Sequence, residues 1–345
     1  MMGSATIALG LTGVAMSGAP TMASAVPGPA CSPNSNCPSD DVPWTVLNGT
    51  ITLTGPGTIH PSLVLVDFGA TIRLAGGANL QDDAIIGDTS SGTFDNNNST
   101  HSVTGQLILG NQSGGSGIYT IEGNSAVTSV DFVPGGNGGA PNGALIIGNA
   151  GSGSFTQGLA NQTDTGNAVN VAGDLTLGQQ SGSVGTYTLN TGTLNVGGQL
   201  AVGGQSTMTD GSGNPANIFT QNGGTVNLTG TANGNGDYVP VGPGFAPFGA
   251  TLAVGGGIGT GDDSNAGGTG EYDLNHGSVV INNNFIIGGT GTGIFNQNNS
   301  DTSVQSANFM TLGFDSGASG TYNLSDGTLT VGQSETIGNA GTGDF

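Results

Sequence analysis

The sequence predicts an all-β fold: a right-handed parallel β-helix of pectin-lyase-like architecture, in which each turn of the chain, or rung, adds short strands to long sheets. Three observations predict it. A signature of two apolar residues around a variable one, followed by glycine, recurs nine times. One aromatic residue follows each copy, and apolar residues within a unit recur at every second position, the period of a strand. A β-sandwich or propeller, whose strands are normally longer, is the alternative.

The signature sets the length of a rung. Its nine copies are AIIG ending at Gly87, LILG at Gly110, LIIG at Gly148, LTLG at Gly178, LAVG at Gly203, LAVG at Gly255, FIIG at Gly288, MTLG at Gly313 and ETIG at Gly338. Successive glycines are 23, 38, 30, 25, 52, 33, 25 and 25 residues apart. The base period is therefore about 25 residues, and the longer separations indicate insertions into a repeated unit.

The aromatic residues alternate strictly between phenylalanine and tyrosine. In chain order they are Phe94, Tyr119, Phe155, Tyr187, Phe219, Tyr272, Phe295, Tyr322 and Phe345. Most of the phenylalanine units continue into asparagine or glutamine, as in FTQG and FNQNN. This alternation indicates that a pair of rungs was duplicated, and we expect the aromatic rings of successive rungs to stack in a narrow core.

A single unit, GTYTLNTGTLNVGGQLAVGG at 185–204, shows the expected local structure. Its apolar residues form three pairs with a spacing of two: Tyr187 and Leu189, Leu194 and Val196, Leu200 and Val202. Glycines separate the pairs, and glycine readily supplies the positive φ of a tight corner. The unit therefore predicts three strands and three corners.

The charge balance excludes several classes of function. Asp and Glu number 22, whereas Arg73 is the only lysine or arginine, which gives a net charge of −21. Without a basic patch, nucleic acid and anionic membrane surfaces are not expected partners. Salt bridges cannot hold such a fold together, so we expect apolar burial and backbone hydrogen bonds to do so.

Four segments are predicted. Residues 1–25 have the apolar run and small-residue cleavage pattern of a signal peptide, although no Lys or Arg precedes the run. Residues 26–41 form a linker in which Cys31 and Cys37 are expected to close a small disulfide loop. Residues 42–83 are read as an N-terminal cap or first rung, and 84–345 as the repeat array, which we expect to be truncated at Phe345.

Units such as GTYNLSDGTLTVG and LAVGGQ resemble the repeat of bacterial autotransporter (type V secretion) passengers and of PEP-CTERM surface proteins. The resemblance covers about residues 84–345. It implies an exported β-helix at the cell surface or outer membrane, often serving as an adhesin or matrix component. The sequence contains neither a C-terminal translocator barrel nor a Pro-Glu-Pro sorting tail, so the route to the surface stays open.

Some β-helices are carbohydrate-active enzymes, so acidic clusters were considered as candidate catalytic sites. The candidates are Asp82–Asp83, Asp262–Asp263 and Asn275–His276–Gly277. A glycosidase needs two carboxylates at a defined separation, and these pairs lie on different rungs. We interpret each as a solvated turn, and the histidines His60, His101 and His276 as isolated turn residues. No catalytic residue and no metal ligand is predicted.

Calcium is the one metal that the loops favour. Residues 210–214 (DGSGN) and 259–265 (GTGDDSN) are rich in oxygen ligands and bent by glycine. However, the tandem nonapeptide calcium repeat and the EF-hand spacing are both missing. The sequence therefore predicts no cofactor, with calcium as the alternative.

Insertions into the rungs are the expected contact surfaces. They span 128–143, 204–217, 229–250 and 256–270, and the third carries Tyr238, Phe245 and Phe248. Exposed aromatic residues there could stack on sugars or insert into a partner, or fold back over the rod. Outward Thr186, Thr188 and Thr193 also resemble the threonine rows of ice-binding solenoids.

These features predict a secreted or surface-displayed structural or adhesive β-helix that is not an enzyme. Its expected partners are a host or neighbouring cell surface, glycans or a second copy, with membrane attachment only through a missing C-terminal region. The alternative is a carbohydrate-active β-helix enzyme, a polysaccharide hydrolase or lyase.

Overall fold

The computed structural model describes residues 43–123, 127–130, 143–160, 166–229, 250–256 and 267–345. These residues form thirty β-strands, which lie in two parallel sheets. Among them there is no helix long and apolar enough to cross a membrane. The predicted all-β parallel β-helix is confirmed.

Sheet A has eleven strands and sheet B has nineteen. Sheet A consists of β2 (Thr50–Thr54), β5 (Ala70–Ala75), β7 (Ser91–Asn97), β9 (Ser116–Glu122), β12 (Ser152–Gln157), β15 (Val184–Leu189), β18 (Asn217–Gln221), β21 (Thr269–Leu274), β24 (Thr292–Gln297), β27 (Ser319–Leu324) and β30 (Thr342–Asp344). Sheet B consists of β1 (Trp44–Val46), β3 (Gly57–Ile59), β4 (Val64–Val66), β6 (Ala78–Ile86), β8 (Thr100–Leu109), β10 (Val127–Val130), β11 (Ala144–Ile147), β13 (Ala168–Val171), β14 (Leu175–Leu177), β16 (Thr193–Val196), β17 (Leu200–Val202), β19 (Thr225–Leu228), β20 (Leu252–Val254), β22 (Ser278–Ile281), β23 (Phe285–Ile287), β25 (Ser303–Ser306), β26 (Met310–Leu312), β28 (Thr328–Val331) and β29 (Glu335–Ile337).

A typical rung has one strand in sheet A and two in sheet B. In the unit at 185–204 these are β15, β16 and β17, and each pairs in parallel with its counterpart in the next rung, β18, β19 and β20. The six apolar residues of this unit all point inward and are fully buried: Tyr187, Leu189, Leu194, Val196, Leu200 and Val202. Each stacks on the equivalent residue of the next rung, so the core is one continuous column.

The glycine of the signature is fixed by backbone conformation. Gly178 has a φ of +70°, and the equivalent glycines of the other eight signatures also have positive φ. Gly197 and Gly198 were predicted as corner residues for the same reason, but they have no positive φ. They lie where a Cβ atom would meet the Ala172 carbonyl oxygen at 2.3 Å and the Asp174 carboxylate at 2.1 Å, so close packing requires them.

Residues 43–83 continue the same two sheets. β2 and β5 pair in sheet A, and β5 pairs onward with β7, the first strand of the repeat array. Arg73 on β5 faces Asp95 in register, and the two ion-pair contacts between described residues both involve histidine instead. At the other end of the rod Glu335 is in register with Met310 but is exposed, so its carboxylate is not buried.

Candidate functional site

The aromatic residues form a ladder through the core. Successive rings stack with centroids 4.6–5.2 Å apart, from Phe94 and Tyr119 through to Tyr322 and Phe345. All of them except Phe345 are buried. The predicted stack is confirmed, and it assigns the aromatic residues of the repeat to the interior of the rod.

The alternation of phenylalanine and tyrosine follows from hydrogen bonding. The Tyr187 hydroxyl donates to Gln157 Oε1 of the preceding rung at 2.6 Å, Tyr272 to Gln221 at 2.7 Å and Tyr322 to Gln297 at 2.5 Å. Each glutamine follows the phenylalanine of its own rung by two residues and points inward. Burial raises the pKa of Tyr187 and Tyr272 well above the ordinary value, so both hydroxyls stay protonated and act as donors.

The same glutamines also tie the rung to the backbone. Gln157 Nε2 donates to the Thr193 carbonyl oxygen at 2.9 Å, and Gln221 Nε2 donates to the carbonyl oxygens of Gly224 and Ser278, both at 3.1 Å. The Phe-Thr-Gln pattern is visible in the sequence, but its tyrosine partner on the next rung was not predicted. The signal was present, because glutamine stands two residues after phenylalanine where the tyrosine units have leucine or isoleucine.

The first tyrosine is held differently. Tyr119 has no glutamine below it; its hydroxyl lies 2.7 Å from His101 Nδ1 and 3.0 Å from the Thr128 hydroxyl. His101 Nε2 lies 3.0 Å from Asp82 Oδ1, and the imidazole stacks on Phe94 with centroids 4.4 Å apart. Asp82, His101, Tyr119 and Thr128 therefore form one chain of hydrogen bonds, which we call the buried polar chain.

Two predictions are wrong here. Asp82 and His101 were expected in solvated turns, but both lie inside the core with exposures of 2% and 0%. The reason is that β6 and β8 run without a turn through both positions, with a register shift between Asp82 and Ala84. Burial raises the pKa of Asp82, and its Oδ2 atom has no hydrogen-bond partner among the described residues. No substrate can reach these groups without opening the rod.

The remaining candidates for acid chemistry are separate from one another. Asp83 is half-buried, its pKa is raised by burial, and it lies 3.4 Å from the Thr104 hydroxyl. His276 is exposed, as predicted, and its Nδ1 atom lies 3.0 Å from Asp301. Asp262 and Asp263 lie outside the described residues. Of the candidates that the structure describes, Asp82–Asp83 and Asn275–His276–Gly277 lie on rungs far apart and are not brought together.

The first predicted calcium loop is organised around its own carboxylate. Asp210 accepts hydrogen bonds from the backbone N–H groups of Asn214 and Ser212 at 2.9 and 2.8 Å, and from the Asn214 side chain at 3.1 Å. These donors hold the pKa of Asp210 below its usual value. A cation would have to displace them. In the part of the chain that is described, no three His, Cys, Asp or Glu side chains converge as metal ligands would.

Several predicted features lie outside the described residues. These are the signal peptide at 1–25, Cys31 and Cys37, the second calcium loop at 259–265, and the three aromatic residues of the third insertion, Tyr238, Phe245 and Phe248. They stay predictions.

The outer face of sheet A extends over eleven strands. Thr186 and Thr188 point outward from β15 as predicted, and Thr156 and Thr220 lie beside Thr188 on the neighbouring strands. Thr193 does not belong to this surface, because it begins β16 in sheet B, across a corner from β15. The three threonines therefore form no single row, although two of them join longer rows.

In comparisons with known proteins, no family model, no curated protein and no solved structure matches the chain.

Proposed function

We propose that this protein is a non-catalytic structural or adhesive rod, secreted or displayed at the cell surface, which presents its loops and outer faces to cells, matrix or glycans. The observation that carries the proposal is the continuous ladder of stacked rings and Tyr–Gln hydrogen bonds. The aromatic and glutamine side chains of the repeat are used to stack and align the rungs. The repeat therefore supports a scaffold, and we expect binding specificity to reside in the loops and outer faces that the scaffold displays.

The shape of the scaffold suits this role. The eleven strands of sheet A, at a spacing of about 4.8 Å, extend over roughly 50 Å. Neighbouring rungs are joined by backbone hydrogen bonds along every strand and by stacked side chains in the core. We therefore expect the rod to resist bending. Long loops on a rigid solenoid are where binding surfaces are usually built.

The predicted signal peptide supports a place outside the cell. The net charge of −21 with one arginine disfavours nucleic acid and anionic membrane surfaces as partners. The resemblance to autotransporter passengers and PEP-CTERM proteins agrees with export, although the secretion route stays open.

The test is binding by the purified full chain to bacterial and host cells and to a glycan array, together with sedimentation analysis of self-association. We expect binding or self-association that is lost when Tyr238, Phe245 and Phe248 are all changed to alanine. The matched control is Phe309→Ala, which removes a 45% exposed aromatic residue from a described surface and should leave binding unchanged.

Two results would overturn the proposal. A rod that binds no cell or glycan and does not self-associate would contradict the proposed presentation of loops and faces to partners. Turnover of a polysaccharide, abolished by Asp262→Ala or Asp263→Ala, would show instead that the β-helix is a carbohydrate-active enzyme.

A further inference from the structure

Four successive strands of sheet A, β9, β12, β15 and β18, carry a regular outward array. One row is Ile118, Ser154, Thr186 and Ile218, and the row beside it is Thr120, Thr156, Thr188 and Thr220. We call these eight residues the threonine face. Neighbouring strands are about 4.8 Å apart and the two rows about 6.6 Å apart, so the side chains form a two-dimensional lattice.

The rungs beneath the threonine face are the most regular of the rod. Ring planes from Phe94 to Phe219 differ by only 3–8° between successive rungs, at centroid separations of 4.7–4.8 Å. From Phe219 to Phe345 the angles rise to 14–21°. Because the strands carry these rings, we expect the outward residues above the first group to repeat with little rotation and to form a nearly flat face.

The threonine face is also free of charge in a strongly acidic chain. The carboxylates that share its rows lie at its two ends: Asp95 precedes Thr120, and Glu271 and Asp273 follow Ile218 and Thr220. A neutral block of this kind does not fit a cationic partner, which the rest of the −21 surface would attract instead. The complementary partner is an uncharged one.

Most side chains of the face are partly exposed and stiff. Ile118 is 45% exposed and the other seven residues are partly exposed. The Thr186 hydroxyl donates to the Gly153 carbonyl oxygen at 3.4 Å, whereas the hydroxyls of the second row, Thr120, Thr156, Thr188 and Thr220, make no hydrogen bond to another described residue. β-Branched side chains hold a restricted χ1 angle, so methyl and hydroxyl groups stay in register along each row. No aromatic side chain points outward among the eight, and aromatic stacking is the usual means of holding a sugar ring.

We propose that the threonine face binds ice. An ice surface is flat, uncharged and periodic, and it offers hydrogen-bond donors and acceptors at fixed spacings. Each threonine contact with it is weak, but a rigid lattice engages many contacts at once, so their free energies sum without further ordering cost. This proposal goes beyond the adhesive function and does not depend on the insertion loops.

The test is ice-affinity partitioning of the purified full chain, with thermal hysteresis as a second readout. We expect the wild-type protein to enter a slowly growing ice shell, and Thr188→Lys to lower its ice-to-liquid ratio roughly tenfold by placing a hydrated charge at the centre of the face. Thr193→Lys is the matched control, since Thr193 lies on the same rung, is similarly exposed and belongs to sheet B. It should partition like the wild type.

Three results would overturn the proposal. The first is exclusion of the wild-type protein from ice, and the second is an equal loss of partitioning in both lysine variants at unchanged thermal stability. The third is binding of the wild type to crystalline cellulose or chitin, abolished by Thr188→Lys, while the wild type stays out of ice. The last would assign the face to a polysaccharide. Because the assay needs neither cells nor loops, its failure leaves the adhesive proposal intact, and loss of adhesion in the loop variant leaves the ice proposal intact.

Discussion

The first tyrosine of the ladder and the later ones meet the same requirement in different ways. Tyr187, Tyr272 and Tyr322 each donate to a neutral glutamine that is itself anchored on backbone carbonyls. Tyr119 instead meets His101, which contacts Asp82. The later tyrosines thus contact neutral side chains, whereas the buried polar chain contains the ionisable residues Asp82 and His101. Most of the ladder therefore aligns its rungs without an ionisable partner for tyrosine, and the first rungs depart from this arrangement.

The largest effect is expected in the buried polar chain. His101→Leu removes the hydrogen-bond partner of both Asp82 Oδ1 and the Tyr119 hydroxyl in the core, and each buried polar group left unsatisfied costs about 1–3 kcal/mol of unfolding free energy. Urea denaturation of the full chain, followed by circular dichroism, would measure it. Asp82→Asn is the informative companion, because it keeps an oxygen to bond the imidazole and leaves the contact between His101 and Tyr119 in place, and it should cost far less. Equal losses in the two variants would contradict the importance of His101 as the link between Asp82 and Tyr119.

A smaller loss is expected from the neutral ladder. Gln221→Leu leaves the Tyr272 hydroxyl without its acceptor and removes one donor from each of the Gly224 and Ser278 carbonyl oxygens, in a site of similar volume. Unsatisfied buried groups cost about 1–3 kcal/mol. The same urea measurement checks this, and a variant as stable as the wild type would show that the glutamine is not needed for the stability of the rod.

Acidification should stabilise the rod at first. Burial raises the pKa of Asp174 and of Asp83, so between the ordinary carboxyl pKa and these raised values the folded chain binds more protons than the unfolded one. The free energy of unfolding therefore falls as the pH rises through this window and is highest below it. Exposed Asp210, with its lowered pKa, acts in the opposite direction. Thermal melts from pH 7 downward check the sign.

Asp174→Asn provides the control for the pH effect. The amide keeps an oxygen to accept the Gln199 N–H at the position where the carboxylate accepts it at 2.7 Å. In this variant the free energy of unfolding should depend less on pH, so acidification should stabilise it less than it stabilises the wild type. A rod that is progressively destabilised from pH 7 downward, with or without Asp174, would contradict the account.

The smallest effect belongs to the outer amide rows. Asn222, next to Gln221 in sequence, points outward and donates to Asn190 at 3.0 Å while accepting from Asn275 at the same distance. Since these bonds are exposed to water, Asn222→Ala should cost at most about 0.5 kcal/mol, within the range of ordinary surface substitutions. A loss as large as that of Gln221→Leu would mean that the external rows, and not the core, hold the rungs in register.

The sequence was sufficient to predict the fold because the pattern of each strand recurs in several units. A spacing of two in one unit is ambiguous, but Tyr187, Leu194 and Leu200 recur at the same places in other units, and the alternation fixes their register. The sequence was insufficient where the repeat is broken. Asp82 lies on β6 and His101 on β8. No turn residue marks the ends of these long strands in the sequence, so the burial of the two side chains could not be predicted from neighbouring glycines.

The candidate site was harder to predict for a related reason. Thr186, Thr188 and Thr193 look like one row in the chain, but a corner between β15 and β16 divides them between two sheets. Conversely, Thr156 and Thr220 are 32 residues away from Thr188 on either side and lie beside it in space. A row across rungs is visible in the sequence only after the units, with their unequal insertions, have been aligned.

Tyrosine and glutamine act as a pair between successive rungs, and a double-mutant cycle on Gln221 and Tyr272 measures the strength of that pairing. The three variants are Gln221→Leu, Tyr272→Phe and the two combined, each unfolded in urea as the full chain. We predict that the double variant is less destabilised than the sum of the single ones by about 1 kcal/mol or more, because removing both partners leaves no orphaned group between them. Strict additivity would contradict the claim.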